Sequence, residues 1–320
     1  MALIVLLFIV GLVLLIKGGD WFVDGASGIA HRLHVPELIV GATVVSIGTT
    51  LPEVMVSATS ALSGHGEIAY GNAIGSVICN TALVAALTIA IRPSKVDRKT
   101  FQGPVIFFFA AAVFYALTAY TTGRFSRVTG IILLGIFVVY IWVSFQQAKA
   151  VAGQDGQEET DPEGSAWKDA ALLLVGAVMI AVGARLLVDN GIRIAAWLKV
   201  PESVIALTFV ALGTSLPELV TAVTALAKGH GALSLGNIVG ANLFNLVLVS
   251  GVSATLSPFS IPQGKMLAGM NASLAVDIPV MIAVMAVMTI PALIRGKLFR
   301  WQGIGLLLVY GTFCAFQFFN

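Results

Sequence analysis

A gapless internal repeat constrains this chain more than any other feature of its sequence. Residues 36–80 (PELIVGATVVSIGTTLPEVMVSATSALSGHGEIAYGNAIGSVICN) and 201–245 (PESVIALTFVALGTSLPELVTAVTALAKGHGALSLGNIVGANLFN) align at an offset of 165, with 17 of the 45 positions identical. The shared positions include Gly48/Gly213, Thr49/Thr214, Pro52/Pro217, Glu53/Glu218, Asn72/Asn237 and Asn80/Asn245. Asp24 and Asp189 match upstream at the same offset. Two halves built to one plan are implied.

Each half is too apolar for a water-soluble surface. Of the 320 residues, 58% are hydrophobic and 11% charged, against roughly a quarter charged in an average soluble domain. The apolar residues fall into runs of about 17–25, the length a helix needs to cross ~30 Å of hydrocarbon. They lack the polar/apolar alternation of a membrane barrel strand. The expected fold is therefore an all-α integral membrane protein. Spans are expected at 2–32, 36–63, 67–91, 101–121 and 128–147, and again at 169–198, 201–228, 231–256, 274–291 and 301–319.

Five spans per half is an odd number, so the second half starts on the opposite face of the membrane. Ten transmembrane helices in two inverted five-helix repeats follow, with a substrate site near the midplane where the halves meet. The domains are then 1–147, a linker at 148–168, and 169–320. With both termini outside, the inward loops carry eleven Lys and Arg, whereas the outward loops carry four: Arg124, Arg127, Lys199 and Lys265. The positive-inside rule favours that orientation in the cell membrane and places the acidic, Gly-rich linker in the cytoplasm as a flexible tether.

Other classes fall away. A net charge of +2 with scattered basic residues does not suit a nucleic-acid binder. Cys79 and Cys314 sit in apolar runs and read as packing residues. The first apolar run lacks a basic leader and a small-residue cleavage site, so it reads as the first span. No protein partner or cofactor is implied; the lipid bilayer is the evident surrounding.

The chemistry lies in GTTLPE at 48–53 and GTSLPE at 213–218. A carboxylate at that depth in an apolar span marks a functional site. Proline one residue earlier cannot donate its amide and clashes with the carbonyl four residues back, and glycine loosens the same turn. Helices 2 and 7 are expected to break there, freeing the carbonyls of Ser46, Ile47 and Gly48 and of Ala211, Leu212 and Gly213. Hydroxyls of Thr49, Thr50, Thr214 and Ser215 lie within a turn of the glutamates, and GNAIGSVICN and GNIVGANLFN add Ser76, Asn80 and Asn245. All of these are oxygen donors. A hard cation is indicated, since Ca²⁺ takes six to eight such oxygens. Two glutamates neutralise one Ca²⁺ or two Na⁺, and competition for the pair is a physical basis for exchange.

The paired motifs resemble the α-repeats of the cation/Ca²⁺ exchanger superfamily, and the whole chain is similar to its prokaryotic Na⁺/Ca²⁺ antiporters. The resemblance is densest over 36–91 and 201–256. It implies a Ca²⁺ site centred on Glu53 and Glu218. It also implies Na⁺ sites using the Ser46 and Ala211 carbonyls with Thr49, Thr50, Thr214, Ser215 and Ser76, and helices 1 and 6 sliding as a gating pair. Where the second repeat of the family often carries Ser and Asp, this chain has Ala241 and Asn245. One Na⁺ ligand is thereby lost and the pocket charge becomes −2, which leaves the stoichiometry open, and Na⁺ or H⁺ as counter-ion.

Weaker signals have plainer readings. Asn80 and Asn245 could be helix-packing hydrogen bonders, and the glutamates could be buried partners of Arg or Lys in a static network. His65 and His230, each in Gly-His-Gly, read as turn residues or pH sensors. Asp20 and Asp24 read as snorkelling or paired groups, Asp189 as a partner of Arg185 or Arg193, and Asp277 as an interfacial helix start. A cation channel could use the same oxygen chemistry, but inverted repeats with one acid each favour alternating access. Glutamates set among Thr, Ser and Asn suit coordination better than hydrolysis, so no enzyme is expected. A Ca²⁺/H⁺ antiporter is the alternative within transport.

Overall fold

A computed structural model describes residues 2–152, 165–198, 213–264, 266–267 and 269–319. Most of the expected linker, and the first part of the expected helix 201–228 with Ala211, lie outside the described residues. The fold is helical: α1 (Ala2–Arg32), α2 (Glu37–Leu62), α3 (Gly66–Ile91), α4 (Arg98–Thr122), α5 (Arg127–Ala152) and α6 (Ala166–Trp197) come first. They are followed by α7 (Leu216–Ala227), α8 (Gly231–Leu256), α9 (Ser273–Arg295) and α10 (Arg300–Phe319). Eight of these helices are long and apolar enough to cross a membrane. The strands among the described residues are two-residue pairs in loops, with no closed sheet.

α8 forms the centre. Every residue from Leu233 to Val247 is buried, as a helix that is apolar all round requires. α1 and α6 lie against each other along their length, running antiparallel. Gly11 meets Leu187 and Gly183, Gly18 meets Ile180 and Gly176, and Gly25 meets Leu173 and Asp169. At these glycines the backbones touch; a Cβ on Gly176 would stand 2.5 Å from the Phe22 amide nitrogen. Small residues permit that approach. Ion pairs fix the C-terminal half of α1: Arg32 to Asp169 at 3.1 Å, and Lys228 to Asp24 at 2.8 Å and Asp20 at 3.5 Å.

Loops pair across the halves at two places. Lys95, after α3, bridges Lys297, after α9. β1 (Arg124–Phe125), after α4, pairs antiparallel with β2 (Phe259–Ser260), after α8. The preceding helices α4 and α9 end alike, on Gly123 (φ 60°) and Gly296 (φ 67°), the left-handed cap that L-residues resist. The loop from α8 to α9 is longer than its counterpart between α3 and α4 and carries a small hairpin, β3 (Met266–Leu267) with β4 (Met270–Asn271).

Among the described residues four helices carry a π-turn, at Gly41–Val45 in α2, Asn80–Ala85 in α3, Asn245–Val249 in α8 and Ser273–Asp277 in α9. The expected break in helix 2 is corrected here. α2 runs without interruption through Gly48–Glu53 with Pro52 inside it. The distortion sits one to two turns upstream, in the π-turn, and neighbouring side chains satisfy the disturbed backbone: the Tyr140 hydroxyl donates to the Ala42 carbonyl at 2.8 Å, and Ser46 Oγ to the Gly41 carbonyl at 2.8 Å. Helical backbone is kept where such partners exist. In the second half Gly213–Ser215 form a turn and α7 starts at Leu216, with Pro217 in its first turn, where a missing amide is harmless.

Candidate cation site

The two motif segments converge beneath α1 and α6. Phe22 of α1 faces Gly48, where an added Cβ would lie 3.2 Å from the ring, and a narrow slot joins Phe22 and Ile180 to Thr49, Pro52 and Pro217. Under this cover Glu53 and Glu218 are both 0% exposed, and none of their four carboxyl oxygens has a hydrogen-bond partner. The two carboxyls are near enough to interact electrostatically, and Thr49 is the side chain that approaches Glu218. Thus each half supplies one acid.

A cross-brace between the halves holds this geometry. Thr49 Oγ1 donates to Asn237 Oδ1 at 3.2 Å, and its repeat mate Thr214 Oγ1 donates to Asn72 Oδ1 at 3.3 Å. Asn72 Nδ2 in turn donates to Ser57 Oγ at 2.9 Å and to the Glu53 carbonyl at 3.3 Å. Ser46 Oγ also reaches the Asn237 carbonyl at 3.0 Å. Asn72 and Asn237 were absent from the ligands expected from sequence. Their identity in both repeats was the available signal, but spacing alone does not reveal that each amide reaches across to the other repeat's motif.

Other expected donors are buried around the pair. Thr50 Oγ1, Ser215 Oγ and both amide atoms of Asn80 have no partner. Asn245 donates to the Ala241 carbonyl at 3.0 Å and leaves its Oδ1 unpartnered. Asn80 and Asn245 each open a π-turn; the turn at Asn80 packs against α7, which carries Glu218, and the turn at Asn245 against α2, which carries Glu53. Single π-turns inside α-helices recur at functional sites because they shift the register of side chains around the axis. Ser76 is also buried. The hydroxyls of Ser46, Thr49 and Thr214 are engaged in the brace, and the Ser46 carbonyl accepts from Thr49 Oγ1 at 3.5 Å. Ala211 lies outside the described residues.

Two buried carboxyls without partners hold only if positive charge compensates them, whether a cation or protons. Among the described residues no Lys, Arg or His pairs with either glutamate. No group of three or more His, Cys, Asp or Glu side chains converges among them either. Among the described residues the acidic charge of the site is therefore the pair alone, surrounded by neutral hydroxyl, amide and carbonyl oxygens. Such a donor set suits hard cations.

An apolar multi-span bundle with a paired-acid oxygen site defines a membrane cation transporter. The family model described as sodium/calcium exchanger protein matches residues 3–146 and 168–319, and the chain belongs to that family, a family of exchangers rather than enzymes. It is 34% identical over 309 residues to an uncharacterised membrane protein of Methanocaldococcus jannaschii, covering 95% of this chain and 94% of that one. It is 30% identical over 353 residues to the sodium/calcium exchanger MaX1 of Methanosarcina acetivorans, covering 98% of both. A solved structure of the sodium-calcium exchanger NCX_Mj, soaked with Na⁺ and Sr²⁺, superposes with a TM-score of 0.82 at 33% identity, covering 98% of each chain.

Proposed function

We propose that the chain exchanges Na⁺ for Ca²⁺ across the cell membrane by alternating access, with Ca²⁺ held between Glu53 and Glu218. The observation that carries this reading is the pair itself: two repeat-equivalent carboxyls, fully buried, adjacent and without protein partners. Thr49, Thr50, Thr214, Ser215, Ser76, Asn80, Asn245 and the Ser46 and Ala211 carbonyls complete the coordination of Ca²⁺ or Na⁺. Both ions draw on the same two charges, so full loading with one excludes the other. Membership of the exchanger family and the likeness to NCX_Mj support the assignment.

Ten spans in two inverted halves, 1–147 and 169–320 joined by a cytoplasmic linker at 148–168, complete the proposal. The antiparallel run of α1 against its repeat mate α6 supports inversion. So do the loop pairs. α3 and α9 end together, α4 and α8 end together, and α4 crosses between the two places, so α3 and its mate α8 end on opposite faces. With both termini outside, Lys95 and Lys297 face the cytoplasm, in keeping with the charge bias of the loops.

Ca²⁺ uptake into voltage-clamped proteoliposomes tests the reading. Uptake driven by internal Na⁺, saturable and showing counterflow, is expected. Uptake driven by a proton gradient but not by Na⁺ would make the protein a Ca²⁺/H⁺ antiporter, a reading to which the −2 pocket with neutral Asn80 and Asn245 lends itself. Flux without saturation or counterflow would indicate a channel and overturn alternating access.

A further inference from the structure

The contact of α1 with α7 has no counterpart between their repeat mates α6 and α2. Val220, Thr224 and Lys228 stand four residues apart and form one stripe along α7 and its C-terminal end. α1 lies on this stripe: a Cβ on Gly19 would stand 2.7 Å from Val220 Cγ1 and 3.0 Å from Thr224 Oγ1. Lys228 closes the contact, its Nζ reaching Asp24 Oδ1 at 2.8 Å and Asp20 Oδ1 at 3.5 Å and donating to the Asp20 carbonyl at 3.0 Å. A turn further along α1, Ser27 Oγ meets His230 Nδ1 at 3.3 Å.

The repeat offset of 165 puts Met55, Thr59 and Ser63 in the places of Val220, Thr224 and Lys228, and Arg185, Asp189 and Ile192 in those of Asp20, Asp24 and Ser27. Met55, Thr59 and Ser63 are all exposed, so nothing covers that stripe of α2. Arg185 pairs instead with Asp189 beside it on α6 at 3.7 Å, their side chains 85% and 55% exposed. α6 therefore stands clear of α2 at the end where α1 is closed on α7. Moving α6 onto α2 would not reproduce the bonds either: Ser63 carries no charge, Arg185 stands where an acid would be needed, and Ile192 has no hydroxyl.

We propose that Lys228, Asp20 and Asp24 form a latch present at one face of the membrane only, which holds α1 on α7 and weights the transport cycle toward the state closed at that face. The inference rests on the alternating-access reading above, with α1 and α6 as the moving helices. In the orientation given there, the latched end is cytoplasmic. Opening inward breaks the latch, whereas opening outward breaks no equivalent bond. The fraction of molecules able to bind from the cytoplasm is lowered, and the apparent affinity falls in proportion. The exchanger thus takes Ca²⁺ more weakly from the cytoplasm than from outside, although the same two glutamates receive it.

Alkylation reads the latch without transport. In the full chain, Thr224→Cys lies under α1 and should react slowly with a membrane-impermeant maleimide added at the cytoplasmic face in ion-free buffer, after subtraction of the rate from Cys79 and Cys314. Adding Lys228→Ser should speed that reaction by up to about fivefold, the population equivalent of the ~1 kcal/mol upper bound for a partly exposed pair. The charge-swapped protein, Lys228→Asp with Asp24→Lys, should restore the slow rate, which a general loosening of the fold would not allow. In proteoliposomes of defined sidedness, Lys228→Ser should lower the apparent KM for cytoplasmic Ca²⁺ by the same factor and leave that for external Ca²⁺ nearly unchanged. Equal alkylation rates with and without Lys228→Ser, or KM shifts of the same size at both faces, overturn the latch. Alkylation as expected, together with no Na⁺-driven Ca²⁺ uptake by the wild type, would support the latch and strike the proposed function.

Discussion

Replacing either glutamate by glutamine removes one of two charges from a site where both are fully buried and unpartnered. The relevant scale is therefore that of buried pairs, about 3–5 kcal/mol for losing one partner, not the under ~1 kcal/mol of surface pairs. For Ca²⁺ that is about two to four decades in affinity, at 1.4 kcal/mol per decade. Coulomb energy scales with ion charge, so Na⁺ should lose about half as much free energy, roughly one to two decades. Glu53→Gln and Glu218→Gln should both insert, both stop exchanging, and lose Ca²⁺ affinity by about the square of their loss for Na⁺. In ion-free buffer at alkaline pH the ordering of thermal stability should reverse. Each variant should then melt roughly a few degrees above the wild type, because it no longer confines two like charges. Cation-dependent melting curves, together with Ca²⁺ uptake into proteoliposomes, read both effects. Ca²⁺ flux retained in both variants, or equal losses for the two ions, would refute the assignment of this pair as the shared charge.

Three smaller perturbations test the scaffold. Gly240→Ala places a Cβ 2.6 Å from the Ala42 carbonyl and against Ser46 Oγ, so α2 and α8 must part; melting should show about 1–3 kcal/mol of lost stability, as for other overpacked contacts. Asn237→Ala leaves Ser46 and Thr49 without their shared amide acceptor, at about 1 kcal/mol per hydrogen bond, and a Ca²⁺ affinity equal to that of the wild type would separate the brace from the site. The Lys228–Asp24 pair is partly exposed, so a double-mutant cycle on melting should return a coupling below about 1 kcal/mol.

The helical character and the approximate positions of the described spans were legible because punctuation is strong in an apolar chain, although the expected ends at 147 and 291 fell short of Ala152 and Arg295. Gly123 and Gly296 cap helices, Asp97 accepts from the Lys99 amide at 3.2 Å to start α4, and His65 and His230 each precede a helix. The π-turns at Asn80 and Asn245 were not legible, since one extra residue in a turn barely alters apolar periodicity in a run that is apolar on every side. Nor was the continuity of α2, because whether a helix survives Pro52 depends on partners such as Tyr140 and Asn72 that arrive from distant segments. The two-residue strands β1 and β2 leave too short a pattern to read. In the candidate site, Glu53 and Glu218 announced themselves as charges in apolar spans, whereas His230 gave no sign that it would meet Glu37 at 2.6 Å.

One contrast bears directly on how such a site could turn between two faces. Gly48-Thr49-Thr50 and Gly213-Thr214-Ser215 differ only by a hydroxyl-bearing residue, and Leu-Pro-Glu follows each. Yet the first triplet is helical and the second is a turn preceding a helix. Nearly identical sequences in two conformations within one molecule mean that the intrinsic difference between them is small, and that packing decides which is adopted. Pro52 and Pro217 contribute to this evenness, because neither offers an amide that would reward continuing the helix. The proposed inversion of the repeats supplies the rest: if the halves exchange their surroundings, the conformations exchange too, at little net change in free energy. The Thr49–Asn237 and Thr214–Asn72 bonds, at 3.2 and 3.3 Å, are repeat-equivalent, so such an exchange carries each into the other. In the alternating-access cycle proposed above, the acids would stay at the centre while the backbone around them changes, and for that a chain needs its charged motif written twice.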